Sequence, residues 1–159
     1  MNKNNNNQFV IRTPEQTDAM AWGELWNQYL TFYKAIDHSE DLTLLLWQRI
    51  LDETHPIHCL VVEDKSSKKL LGFVHFSPQV TTWQKEYECY LEDLFVTDEL
   101  RGKSIGEQLI NEVVAQSKRN GWKEVYWQTQ YDNAPARGLY DKITGGTNGY
   151  VIYRIEADK

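Results

Sequence analysis

The segment Leu94–Gly106 constrains the fold of this chain most, because it joins an apolar strand to a helix through a loop with two glycines. The start of such a helix presents unpaired backbone N–H groups and the positive end of the helix dipole. Glycine lets the backbone approach a bound group closely, and Arg101 can add a charged donor to a phosphate. The segment therefore predicts an anion site. An ordinary strand–helix turn is the alternative.

The hydrophobic period along the chain predicts the elements around this segment. Apolar residues recur at helical spacing from Trp22 to Tyr33, whereas short strand patterns follow Pro56. Thr13 and Pro14 are typical of an N-cap and a first helical position. The predicted order is β-α-α-β-β-β-α-β-α-β, which favours a single α/β (α+β) domain whose mixed central sheet is flanked by helices. The predicted elements are strand 8–12, helix 14–33, helix 40–52, strands 57–63, 70–76 and 86–96, helix 105–118, strand 124–128, helix 134–142 and strand 150–155.

Composition argues against several classes of protein. No apolar run approaches the length of a membrane-spanning helix or of a signal-peptide core, so we expect no membrane association. A net charge of −6 without a basic cluster argues against nucleic-acid binding and suits a cationic partner. Two cysteines, Cys59 and Cys89, cannot form a disulfide framework, which favours a reducing, cytoplasmic location. The asparagine-rich residues 1–8 are expected to be a disordered polar tail before a domain at 9–157.

Three spaced motifs resemble those of the GCN5-related N-acetyltransferase superfamily. They are Tyr90-Leu-Glu-Asp-Leu-Phe-Val96, Arg101-Gly-x-x-x-Gly106 and Asn133-x-x-Ala136-x-x-Leu139-Tyr140. The motifs stand in the right order on a strand, a loop and a helix, and the resemblance spans nearly the whole chain. Within the superfamily they are similar to those of diamine (spermidine/spermine) acetyltransferases and of fungal histone/polyamine and D-amino-acid acetyltransferases. The resemblance implies an N-acetyltransferase that uses acetyl-CoA and forms a homodimer.

The resemblance also implies which residues hold the cofactor. The glycine-containing loop would bind the pyrophosphate of acetyl-CoA, and the preceding strand would pair with its pantetheine arm. Asn133 would contact that arm, cap its own helix, or do both. Ser104 departs from the family, which has a glycine there, and adds a side chain where the backbone approaches the phosphates. The implied cofactor-binding residues are Leu94, Phe95, Val96, Arg101, Gly102, Lys103, Ser104, Ile105, Gly106, Glu107, Asn133 and Ala136.

Acetyl transfer to an amine requires removal of the ammonium proton and protonation of the leaving thiolate. Glu92 is the candidate base, because the resembled family places an acidic residue there, and an ordinary solvated strand residue is the alternative. Tyr140 is the candidate acid, and a tyrosine that packs beneath the sheet is the alternative. A backbone N–H near Leu94 or Phe95 would stabilise the oxyanion where a bulge frees it.

The candidate acceptor site combines acidic and aromatic side chains. Glu92 and Asp93 reach it together only if their strand bulges, because neighbouring strand side chains point to opposite faces. Trp83 and Tyr87 lie in the loop before this strand, where aromatic residues often serve binding. Tyr33 stands where diamine acetyltransferases carry an acidic residue, and its ring can still hold a cation. Other aromatic residues of that helix are expected in the core.

These features predict direct acetyl transfer to a primary amine of a small, cationic acceptor, such as a polyamine, a diamine or an amino acid. One alternative is acetylation of a lysine side chain or of a protein N-terminus. Another is a domain that binds or senses CoA without turnover, which Ser104 makes conceivable. His55, His58 and Cys59 lack a fourth ligand at metal-binding spacing, so we expect no metal.

Overall fold

A computed structural model describes residues 8–158 of the chain. Most of the predicted tail lies outside these residues. The chain divides into two compact units at Trp127, and each unit is described by itself. The first unit contains β1 (Phe9–Arg12), α1 (Ala19–Phe32), α2 (Glu40–Leu51), β2 (His58–Asp64), β3 (Leu70–Gln79), β4 (Glu88–Val96), α3 (Ile105–Arg119) and β5 (Val125–Tyr126). The second unit contains α4 (Ala134–Thr144).

The strands of the first unit form one mixed sheet in the order β1-β2-β3-β4-β5. The first four strands run antiparallel, and β5 pairs parallel with the start of β4. The turn between β2 and β3 is a hairpin in which the Asp64 carboxylate accepts hydrogen bonds from the backbone N–H groups of Ser66 and Ser67. The predicted hairpin and the predicted mixed sheet are therefore confirmed.

The core lies where α1 packs on the sheet. Trp22, Leu25 and Trp26 are buried at the i, i+3 and i+4 spacing that the sequence pattern predicts, and they cluster with Phe73 and Val61. The opposite face of β3 carries Phe76, whose ring meets His58 and Trp122. Helix α3 buries its own apolar stripe, which is formed by Ile105, Leu109, Ile110 and Val113.

Helix α1 begins at Ala19, later than the Thr13–Pro14 signal predicts. A single 3₁₀ turn, Gln16–Asp18, precedes the helix, and two hydrogen-bond partners hold the Asp18 carboxylate in this turn. Asp18 accepts hydrogen bonds from the Arg12 guanidinium at 2.7 and 3.0 Å and from the Glu15 backbone N–H at 2.7 Å. This carboxylate fixes a tight turn where the sequence predicts the first turn of the helix.

The predicted last strand, 150–155, is wrong, because this segment has no regular hydrogen bonding to a neighbouring strand. Its apolar side chains are exposed, with Tyr153 at 92% and Ile155 at 96%. The strand predicted at 124–128 shortens to Val125–Tyr126. A strand pattern reports side-chain alternation but not whether a partner strand is present. Within residues 8–158, no helix is long and apolar enough to cross a membrane.

Candidate active site

A bulge interrupts β4 at the two acidic residues. His75 and Phe76 are neighbours on β3, yet their partners on β4 are Asp93 and Leu91. Glu92 is therefore the extra residue of the bulge. Because neighbouring residues of β3 point to opposite faces, Asp93 and Leu91 also lie on opposite faces although they are two residues apart. The sequence requires this irregularity if both carboxylates are to reach one site, and the structure contains it.

The bulge directs Asp93 toward α1. The Asp93 Oδ2 atom lies 3.0 Å from His75 Nδ1, and the Asp93 charge also acts on the nearby Tyr29 hydroxyl. Burial raises the pKa of Tyr29 far above its ordinary value, and the Asp93 and Glu92 charges raise it further. Both acidic residues therefore lie within electrostatic range of the Tyr29 hydroxyl. The Asp93 side chain keeps 16% of its surface exposed.

The aromatic candidates separate into two places. The Tyr33 ring packs against Tyr29 at an angle of 51° with centroids 4.7 Å apart, and burial followed by the Asp93 charge raises the pKa of Tyr33. Tyr33 thus lies within electrostatic range of the carboxylate. Trp83 and Tyr87 lie in the loop between β3 and β4, and their side chains are largely in solvent, Trp83 at 90%. This loop precedes β4, whereas the glycine-containing loop follows it. Tyr33 therefore lies near the bulge in β4, and Trp83 and Tyr87 lie exposed in the loop before that strand.

The loop after β4 connects the sheet to α3 through a 3₁₀ turn and a glycine with positive φ. The Thr97 backbone N–H donates to the Leu71 carbonyl at the end of the strand, and a 3₁₀ turn follows at Asp98–Leu100. The Arg101 guanidinium lies 2.8 Å from the Asp98 carboxylate, yet its side chain is 82% exposed. Gly102 has a φ of 73°. The loop ends at the N-terminus of α3, where backbone N–H groups lack helical acceptors.

Ser104 adopts the left-handed conformation, with φ at 57° and ψ at 25°, and is the residue before α3. Its side chain forms no capping hydrogen bond with that helix. Left-handed backbone is strained for residues other than glycine. This observation gives a physical reason for the glycine that the resembled family has at this position. Lys103, the preceding residue, places its ammonium group over the Phe9 ring, 5.4 Å from the centroid.

The other predicted cofactor residues of the first unit lie on β4 and on the first turn of α3. Phe95 pairs with Phe73 and packs toward α1, with 5.9 Å between the two ring centroids. Leu94 and Val96 alternate with Phe95 and point to the opposite face. Ile105 is the first residue of α3 and is buried, whereas Gly106 and Glu107 lie in the same first turn and are partly exposed.

The second unit contains Asn133, Ala136 and Tyr140. Asn133 is the N-cap of α4, because its side-chain oxygen accepts from the Ala136 backbone N–H at 3.4 Å, and its amide donates to Thr129 Oγ1 at 3.3 Å. The capping interpretation of Asn133 is confirmed. The Tyr140 carbonyl accepts from Thr144 Oγ1 at 2.9 Å. Tyr140 lies on α4, and its side chain is half-buried.

Sequence reasoning did not identify His75 and assigned Tyr29 to the core. His75 interrupts a run of apolar residues on β3, which is a sign of a buried polar residue that needs partners. Its partners could not be found without the sheet register. Among the described residues, no group of three or more metal-ligating side chains is present.

Comparison with known proteins places these features in context. The sequence profile of the acetyltransferase (GNAT) family matches residues 21–145. The D-amino-acid N-acetyltransferase HPA3 of Saccharomyces cerevisiae is 32% identical over 149 residues, which cover 94% of this chain and 91% of that protein. The L-ornithine N5-acetyltransferase NATA1 of Arabidopsis thaliana is 29% identical over 101 residues, or 57% of this chain and 44% of that protein.

A solved structure gives the same result for the fold. The aminoglycoside N-acetyltransferase AAC(6')-Iy, in complex with a bisubstrate analogue that contains CoA, superposes with a TM-score of 0.79 at 20% sequence identity. The match covers 93% of this chain and 97% of that one. At this identity the likeness establishes the fold.

Proposed function

Because the chain belongs to the GNAT family of acetyltransferases and is an N-acetyltransferase, we propose that it acetylates a primary amine of a small acceptor with a second positive charge. The observation that carries this proposal is the Asp93 carboxylate, which the β4 bulge turns toward the rings of Tyr29 and Tyr33. A carboxylate bordered by tyrosine rings suits an ammonium group, which both attract. The net charge of −6 favours the approach of such an acceptor.

The loop Arg101–Glu107 fits the pyrophosphate of acetyl-CoA. Its positive-φ residues, its exposed guanidinium and the N-terminus of α3 provide the donors that a phosphate requires. The resemblance implies that Leu94–Val96 contact the pantetheine arm, and it implies the same role for Asn133 and Ala136. Bound acetyl-CoA supplies an activated thioester carbonyl for attack by an amine.

Two residues of the chain then transfer protons during the reaction. Glu92, exposed at the bulge, accepts the ammonium proton directly or through water. Tyr140 donates a proton to the departing thiolate, since a phenol can act as a proton donor at neutral pH. A backbone N–H near Leu94 or Phe95 stabilises the oxyanion. Transfer is direct, without a covalent enzyme intermediate.

The names of the relatives agree with a small amine acceptor, since HPA3 is named for D-amino acids and NATA1 for L-ornithine. We further propose that residues 9–157 act as one catalytic domain in a homodimer, as the resemblance implies. Cys59 and Cys89 are free buried thiols, which fits a reducing cytoplasm.

The test compares acceptors that differ by one ammonium group. Cadaverine is paired with pentylamine and ornithine with norvaline. Thiol release from acetyl-CoA measures turnover, and mass spectrometry identifies the acetylated products. The loss of one charge-assisted contact predicts that kcat/KM is about ten- to a hundredfold higher for the member of each pair with two ammonium groups. This advantage should shrink as salt rises, because partly exposed charges are screened over about 10 Å at 0.1 M.

The remaining outcomes separate the alternatives. Equal or better turnover of the members with one ammonium group contradicts the acceptor assignment. Turnover of a basic peptide alone supports a protein acetyltransferase, and tight CoA binding without turnover of any amine supports a sensor. Tyr140→Phe should lower kcat by about 10²–10⁴-fold with little change in KM, the usual effect of losing one positioned acid. Unchanged turnover in this variant contradicts the role of Tyr140.

A further inference from the structure

His75 is a buried imidazole at the centre of the sheet. It is 2% exposed and lies against the rings of Trp22, Trp26 and Phe73, with centroid distances of 5.8, 5.3 and 4.6 Å. Both ring nitrogens have a polar partner. Nε2 lies 3.1 Å from Trp22 Nε1, and Nδ1 lies 3.0 Å from Asp93 Oδ2. The imidazole therefore bridges α1 to the acidic residue at the bulge.

The Trp22 partner fixes the tautomer of this ring. An indole nitrogen is a donor only, so the Trp22 N–H must donate to an unprotonated Nε2. The imidazole hydrogen consequently resides on Nδ1, where it donates to the Asp93 carboxylate. Which nitrogen carries the hydrogen thus follows from the position of Trp22, fifty-three residues away in the sequence.

Within residues 8–158, Asp93 has an imidazole donor but no lysine or arginine partner. The His75 Nδ1–H group holds the carboxylate at 3.0 Å. Among the described residues, no lysine or arginine forms an ion pair with it, whereas Glu63 is paired with both Arg12 and Lys68. A carboxylate with 16% of its side chain exposed is partly desolvated and gains from a cationic partner. An acceptor's ammonium group can supply that charge.

We propose that His75 is a positioning residue for the acceptor: its Nδ1–H group, oriented by Trp22, holds the Asp93 carboxylate ready for the acceptor's second ammonium group. This inference rests on the proposed function, since it explains how that acceptor is selected. The competing interpretation is a purely structural link between α1, β3 and β4, which would affect stability without affecting the choice of acceptor.

The experiment measures the preference for cadaverine over pentylamine, as a ratio of kcat/KM values and as a ratio of dissociation constants in the presence of CoA. His75→Leu removes both hydrogen bonds, and the preference should fall about tenfold, the size of one hydrogen bond to a charged group. His75→Asn keeps an amide donor near the position of Nδ1 and should recover most of the preference. His58→Leu, which removes an imidazole from β2, is the matched control and should leave the ratio unchanged.

A spectroscopic measurement tests the tautomer of His75 independently of enzyme activity. ¹⁵N-labelled histidine should show His75 protonated at Nδ1, and Trp22→Phe should weaken that pattern. If the His75→Leu variant does not fold, the Trp22→Phe variant is used instead, because phenylalanine keeps an aromatic ring but lacks the indole N–H donor. The preference for cadaverine over pentylamine should then fall about threefold.

Three results overturn the inference while leaving the acetyltransferase intact. They are an unchanged preference in the His75 or Trp22 variant, an equal loss in His58→Leu, and a histidine protonated at Nε2. Failure of the parent protein to acetylate any amine contradicts the proposed function instead. In that case, the dissociation constants and the tautomer still decide the role of His75.

Discussion

Gly72→Ala should destabilise the protein at the strand end that leads into the anion loop. Gly72 is buried on β3 opposite Val96, the last residue of β4. A Cβ atom at this position would lie 2.7 Å from the Phe95 carbonyl oxygen and 3.4 Å from two atoms of Val96. Since ordinary carbon–oxygen contacts begin near 3.3 Å, the two strands would have to separate by roughly 0.6 Å.

The opposing atom is backbone, so no side-chain rotation can relieve the clash. Overpacking of this kind costs about 1–3 kcal/mol, which for a chain of this size lowers the melting temperature by about 2–4 °C per kcal/mol. Urea unfolding gives the free energy, and CoA titration shows whether the displaced end of β4 also weakens binding.

Gly23→Ala is the matched control, because Gly23 lies within α1 and an added Cβ would meet no atom within 4 Å. The same substitution should here raise the unfolding free energy by about 0.5–1 kcal/mol through helix propensity. A Gly72→Ala variant as stable as the parent, or a stability change of the same sign in both variants, would contradict the predicted backbone clash.

Three further predictions concern the anion loop and the N-terminal ion pair. Ser104→Gly should stabilise the protein by about 0.5–1 kcal/mol in urea unfolding, because left-handed strain of about 1–2 kcal/mol exceeds the entropy cost of glycine, and CoA affinity should not fall. Arg101→Ala should weaken CoA binding by about ten- to a hundredfold in calorimetry, with stability nearly unchanged because the side chain is exposed. The Arg12 hydrogen bond lowers the pKa of Asp18. The stabilisation is therefore present above the ordinary aspartate pKa and lost as pH falls through the lowered one. Arg12→Met should be less stable at pH 7 and show a flatter loss of unfolding free energy between pH 5 and pH 3. Identical acid slopes in the two proteins would contradict this assignment.

The sequence predicted features that depend on local spacing. The stripe of α1 places Trp22, Leu25 and Trp26 in the core because an amphipathic helix has only one face to bury. The β2–β3 hairpin forms where a polar turn separates two apolar strands. The need for a bulge at Glu92 and Asp93 followed from strand geometry alone.

The sequence could not predict features that depend on particular side-chain contacts or on distant partners. Asp18 overrides the Thr13–Pro14 helix signal because its carboxylate accepts hydrogen bonds from Arg12, the last residue of β1. The contacts of His75 require both the register between β3 and β4 and the docking of α1. The segment 150–155 has a strand-like pattern, but pairing requires a neighbour that alternation cannot reveal.

The tryptophan cluster beside His75 provides an intrinsic optical reporter. Trp22 and Trp26 stack with centroids 6.0 Å apart, and Trp47 lies 5.0 Å from Trp22. Rings this close exchange excitation, so their emission reports on one shared environment. The Trp22 N–H reaches Asp93 through one imidazole, and an ammonium group placed there changes the electric field at the indole. Acrylamide quenches the exposed Trp83 and spares the buried cluster, so the unquenched fluorescence can follow acceptor binding without a label.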